Sequence, residues 1–193
     1  MIETLLRDLR QPEYVHTLLN PLPVYGVGLS LIGLVIALLL RSRPAQITAL
    51  VLMFLSAAAA WPVIHFGENA YNNVLTSLDD DGRAWMDAHE ERAEMFMYVF
   101  YALAVVSLAA LFLPKKWPKC GTPLVVLAMV MAVFALSAGA SIAYAGGKIR
   151  HREFRTVPPP QKAPKALIEW RRVLVGATLA HPAQIIGQAV RHP

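Results

Sequence analysis

Residues 122–147 read TPLVVLAMVMAVFALSAGASIAYAGG, 26 consecutive residues without an acidic or basic side chain. A helix rises about 1.5 Å per residue, and about 20 apolar residues cross the roughly 30 Å of hydrocarbon in a bilayer. Three more charge-free stretches share this character: Pro21 to Leu40, Ala45 to Phe66 and Met95 to Leu113. Lipid offers backbone N–H and C=O groups no partners, so each stretch has to satisfy its own as a helix. The expected fold is all-α, an integral membrane up-down four-helix bundle, followed by a C-terminal interfacial helix or extended arm.

Composition supports this reading. Of 193 residues, 56% are apolar and 16% charged, against roughly 45–50% and 25% in soluble domains. A soluble protein of this size has no interior large enough to hide four such runs. The net charge of +5 raises nucleic acid as a partner. The basic residues, however, gather just after the fourth stretch and in the tail, where anionic lipid or a partner subunit suits them better. A single cysteine, Cys120, excludes an intrachain disulfide and any CxxC motif. The first stretch ends in Arg41-Ser42-Arg43 with no small-residue cleavage site, so it reads as a membrane helix and not as a cleaved leader.

Local signals set the expected boundaries. Asn20 is placed to cap the first helix, with Pro21 and Pro23 in its first turn, and Thr122-Pro123 to open the fourth. Asp79-Asp80-Asp81 suits the start of the third. Pro62 should leave the carbonyl of Ala58 without a donor and bend the second. Gly146-Gly147 reads as a C-cap closing the fourth helix. Small residues at 56–60 and 138–141 permit close helix contact. Three segments follow: an N-terminal interfacial segment 1–20, a transmembrane domain 21–155, and a Pro-rich linker with a basic arm over 156–193. No internal repeat is evident.

The loops differ in charge. Those after the first and third stretches are short and basic (Arg41 and Arg43; Lys115, Lys116 and Lys119), while the segment 67–92 carries seven acids. The positive-inside rule places the basic loops in the cytoplasm and both termini outside, in a bacterial inner membrane with a periplasmic face. Lys148, Arg150, Arg152 and Arg155 pull the other way.

Histidine is the informative residue type. His16 precedes the first stretch, His65 ends the second, His89 precedes the third and His151 follows the fourth. With four crossings all four fall on one face, together with Glu68, Glu90, Glu91, Glu94 and Arg150. Such a set is able to ligate a transition metal or a haem iron, to relay protons or to line a quinone site. It also fits polar residues gathering where the loops are long. The run His89-Glu90-Glu91-Arg92 lacks the ExxH and HExxH spacings of metal sites. No serine has a plausible base, and mid-membrane ionisable residues of the kind a transporter uses are missing from the four stretches.

The runs His16-Thr-Leu-Leu-Asn20-Pro-Leu-Pro23, Phe66-Gly67-Glu68-Asn-Ala70, Ala88-His89-Glu90-Glu91-Arg-Ala93 and Gly146-Gly147-Lys-Ile149-Arg150-His151 together resemble a bacterial family of uncharacterised four-helix membrane proteins. Some of its members are fused to Rieske iron–sulfur domains. The resemblance covers about Tyr14 to Arg155. The family pattern carries histidines where this chain has Pro21 and Tyr144, and those are its natural candidates for a haem pair within the bilayer. His16, Glu68, His89, Glu90, Arg150 and His151 coincide with the pattern.

The resemblance implies a small membrane subunit or module of an electron-transfer assembly, working with other membrane or periplasmic subunits. Its His-rich face would bind haem b or a transition metal, or dock a redox partner. His16, His65, His89 and His151 are then the candidate ligands or proton carriers. Glu68 and Glu90 are further candidate metal ligands or acceptors that orient imidazoles, and Arg150 would pair with a carboxylate or propionate. The competing expectation is a non-catalytic structural accessory subunit of a larger complex.

Overall fold

The computed structural model describes residues 2–160. Among these, every regular element is helical: α1 (Ile2–Asp8), α2 (Pro12–Leu19), α3 (Val27–Leu39), α4 (Arg43–Ala58), α5 (Ala60–Leu75), α6 (Asp80–Lys116) and α7 (Gly121–Arg150). The expected C-terminal interfacial helix or arm lies outside the described residues. Four continuous helical stretches, Pro12–Leu39, Arg43–Leu75, Asp80–Lys116 and Pro118–Arg150, are long and apolar enough to cross a membrane.

The chain's prolines shape these helices more than the expected caps do. Asn20 does not cap a helix start; it has helical dihedrals and donates its N–H to the carbonyl of His16. The chain passes from α2 into α3 through a π-helical turn, Leu22–Gly26, so no break falls at residue 20. Pro21 and Pro23 lack N–H groups and crowd the carbonyls four residues back, and a wider turn relieves that crowding. Three residues before Pro62, Ala59 keeps helical dihedrals and separates α4 from α5. The second long helix nevertheless continues to Leu75, beyond the expected end at Phe66.

At the other end of α3, Arg41 has φ 52°. Its N–H bonds Leu38 O at 3.0 Å and the Ser42 N–H bonds Ala37 O at 3.0 Å, the paired bonds of a Schellman turn. Ser42 Oγ then accepts from Ala45 N at 3.4 Å and starts α4. One residue thus reverses the chain. Asp79 caps α6 through its side chain, accepting from Gly82 N at 3.0 Å. Thr122 is not a cap, because α7 starts at Gly121 after a 3₁₀ turn (Pro118–Cys120). Gly146 and Gly147 lie inside α7, which runs on to Arg150.

Packing follows chain order. α3 lies against α4, α2 against α5, α4 against α6, and α6 along most of α7. The core combines Val27, Leu34, Leu50, Met53 and Leu103 with a small-residue face on α7, Ala128, Ala132 and Ala135, all fully buried. Alanine there lets the backbones approach closely. The outward faces are apolar too: Leu39 is 78% exposed, Val105 66% and Phe134 64%. In water such a surface would be costly at about 25 cal/mol per Å²; against lipid it is not.

Candidate functional site

α2, α5, α6 and α7 bring two of the four histidines together. His16 and His89 stand with ring centres 6.4 Å apart and planes at 86°. Each is held in the same way. His16 Nδ1 bonds the carbonyl of Val63 at 2.8 Å, and His89 Nδ1 bonds that of Ile142 at 3.0 Å. Carbonyl oxygen only accepts, so the proton is assigned to Nδ1 in both rings, and the Nε2 of a neutral ring is left as a lone-pair acceptor.

Each ring also rests on a glycine four residues beyond its carbonyl. A Cβ on Gly67 would stand 3.0 Å from His16 Nδ1, and one on Gly146 would stand 2.9 Å from His89 Nδ1. These glycines are there for the imidazoles. The first and second long helices, and the third and fourth, therefore build the same unit: a histidine on one helix, and a carbonyl and a glycine on the next. Sequence alone shows no repeat, because only His, Gly and a backbone atom recur.

Both rings line a cavity of about 430 Å³. Its polar side chains are His16, Asn20, Tyr25, Glu68, Tyr71, His89, Glu90 and Glu94, and no Lys or Arg lines it. The Tyr71 hydroxyl donates to Asp87 and ties α5 to α6 beside the cavity. Deeper, the walls are Val24, Met97, Phe100 and Gly139. His89 and Phe100 are eleven residues apart on α6, so the cavity runs about 16 Å inward from the rings at helical rise. The π-helical turn supplies one wall through Pro23, Val24 and Tyr25.

The other sequence candidates lie elsewhere. His65 is exposed, stacks on Trp61 with ring centres 5.7 Å apart and accepts from Asn69 Nδ2 at 3.3 Å. His151 is exposed too; its Nδ1 pairs with Glu153 Oε1 at 2.9 Å and its ring stacks on Phe154. Arg150 is exposed and makes no ion pair among the described residues. No group of three or more His, Cys, Asp or Glu side chains able to hold a metal ion occurs among the described residues. The one-face grouping thus resolves into a pair, His16 and His89, with carboxylates along the same cavity.

Two features went unread in the sequence. The first is a clasp: Arg155 donates to Asp79 Oδ2 at 2.8 Å, to Lys148 O at 2.8 Å and to Ile149 O at 2.7 Å. It closes the C-terminus of α7 against the N-cap of α6. Its guanidinium holds the Asp79 carboxyl down at about 2. The second is Lys148, 3% exposed, whose ammonium lies 4.4 Å from the Trp85 ring centre and 4.0 Å from that of Tyr144. It also donates to the Tyr144 hydroxyl at 2.7 Å. Cation–π contact and this hydrogen bond let a lysine be buried.

His16 and His89, with ring centres 6.4 Å apart, would be the residues to hold a haem or a metal ion, which would supply one-electron chemistry, but the rest of the lining does not fit one. A haem brings two propionates, and this cavity meets them with three glutamates and no cation. A metal ion without a porphyrin would find only two protein ligands. No family model, no curated protein and no solved structure matches this chain.

Proposed function

We propose that the chain is a small multi-pass membrane subunit of an electron-transfer assembly, and that the imidazole pair His16 and His89 is its ligand-binding centre. The four long helices then form an up-down bundle, each crossing the bilayer, with the pair near one surface. The observation that carries this reading is the shared construction of the pair. Two helix-borne imidazoles are each locked through Nδ1 and seated on a glycine. A histidine that served packing alone would not need this arrangement twice around one cavity.

The family resemblance supports the electron-transfer setting, since Rieske fusion links that family to redox chemistry by analogy. The basic loops at the far end support an inner-membrane orientation with the pair on the periplasmic side, where a redox subunit would dock. The structural-subunit reading has its own support: His65, His151 and Arg150 take no part in the cavity.

A redox titration of the purified protein, followed by absorption spectroscopy and by extraction of bound organic groups, tests the proposal. The expected result is one reversible redox group per chain in the native preparation. A protein that holds no such group and co-purifies only with larger subunits belongs to the structural reading.

A further inference from the structure

Away from the cavity, the basic residues at the histidine-bearing end divide into two sets. Arg152 and Arg155 both pair with Asp79. Lys148 and Arg92 form no ion pair with a carboxylate among the described residues, and they meet at Tyr144. The Lys148 ammonium lies 4.0 Å from the Tyr144 ring centre and 4.4 Å from that of Trp85. The Arg92 guanidinium lies 5.8 Å from the Tyr144 ring centre. The oxygens these cations bond are neutral: the Tyr144 hydroxyl for Lys148 and the Ser141 carbonyl for Arg92, each at 2.7 Å. Ring faces and neutral oxygens hold a cation in place without cancelling its charge.

Hydrogen-bond direction adds to the charge. An ammonium only donates, so the Tyr144 oxygen accepts from Lys148 and its own proton remains to be donated. Arg92, which is partly exposed, spends one N–H on the protein and keeps the rest of its donor fork. Trp85 Nε1 is buried beneath them without a partner. Tyr144 is 52% exposed, which brings this cluster of donors and positive charge to the outer surface of the α6–α7 seam. Depth selects the anion that would meet it. Tyr144 lies three residues before the end of the charge-free stretch 122–147, and Arg92 three residues before Met95 opens its own. Both therefore stand at the edge of the hydrocarbon, where lipid phosphates lie. Met95 and Tyr98, exposed and further along α6, continue the seam into the apolar layer.

We propose that the α6–α7 seam at Arg92, Tyr144 and Lys148 binds the phosphate of an anionic phospholipid from the surrounding bilayer. The phosphate oxygens accept from the Arg92 fork and from the Tyr144 hydroxyl, and the lipid's negative charge offsets the ammonium behind the phenol. A lipid without net charge presents the same phosphate but sets its own cationic group against Arg92 and Lys148. The histidine pair and its redox reading play no part in this site.

The test uses the full-length protein, depleted of lipid in a neutral detergent, with three probes: phosphatidylglycerol, phosphatidylcholine with the same chains, and inorganic phosphate. Native mass spectrometry reads the lipid held per chain. One phosphatidylglycerol is expected to bind about tenfold more tightly than phosphatidylcholine. Arg92→Gln and Tyr144→Phe are expected to lower that preference severalfold, and Lys119→Gln, in the far loop, to keep it. Arg92 and Tyr144 are at least partly exposed, so these two variants fold even where a substitution of the buried Lys148 does not, and they decide the matter. Equal affinity for the two lipids, a preference that survives undiminished in both variants, or displacement of phosphatidylglycerol by inorganic phosphate at comparable concentration overturns the inference.

Discussion

At the scale of single residues, two glycines and two backbone carbonyls decide where the imidazoles stand. A methyl group at position 146 would sit 2.9 Å from His89 Nδ1, inside the usual contact distance. Alanine would recover about 1 kcal/mol of helix propensity but overpack the seam by about 1–3 kcal/mol. Gly146→Ala is therefore expected to destabilise the protein by about 1 kcal/mol and to weaken ligand binding, read by thermal melting and by titration. The histidines were legible in the sequence as a type and as a face. Their pairing was not, because it depends on which helical turn meets which carbonyl. The glycines were misread: Gly146 and Gly147 look like a helix end in sequence, and only the imidazole resting on Gly146 shows why a helix would carry glycine in its interior.

Arg41 makes a second residue-scale case. Its left-handed backbone (φ 52°) costs a non-glycine residue about 1–2 kcal/mol. Arg41→Gly is expected to raise the melting temperature, by up to about 1 kcal/mol of stability after glycine's greater unfolded-state entropy is counted. The arginine stays in spite of that cost, which fits its place among the charges that orient the chain. A mutant that is more stable yet inserts with mixed topology would bear this out; one with unchanged stability would show the turn to be unstrained.

At the scale of elements, apolar runs in the sequence were enough to find the four long helices, because the length needed to span hydrocarbon is a coarse and demanding criterion. The ends were harder to read. Expected caps at Asn20 and Thr122 gave way to continuous helix, since a helix that starts outside the apolar stretch needs no cap at its edge. The clasp of Arg155 on Asp79 links residues 76 positions apart, and no local signal announces it. Its pH dependence follows from the Asp79 carboxyl, lowered from an ordinary 3.8 to about 2. A depressed carboxylate contributes stability that is fully present above about pH 4 and is lost as pH falls through 2. Asp79→Asn is expected to lower the melting temperature by the same amount at every pH from 5 to 7, with the difference closing towards pH 2. A difference that instead vanished between pH 7 and 5 would contradict this assignment.

At the scale of the whole molecule, two histidine–carbonyl–glycine units of similar construction line one cavity. Orientation in the membrane can be read from Cys120, which is partly exposed in the turn before α7. A thiol reagent that cannot cross membranes is expected to leave Cys120 unlabelled in intact cells and to label it in inverted vesicles. Labelling in intact cells would place the basic loops outside and the histidine pair in the cytoplasm.

The claim on which the rest depends is that two histidines, and not four, make the centre. A scan of His16→Ala, His65→Ala, His89→Ala and His151→Ala, reading the amount of bound redox group per folded chain, tests this directly. Loss is expected in the His16 and His89 variants and full occupancy in the His65 and His151 variants. Full occupancy in all four, or equal loss in all four, would contradict it.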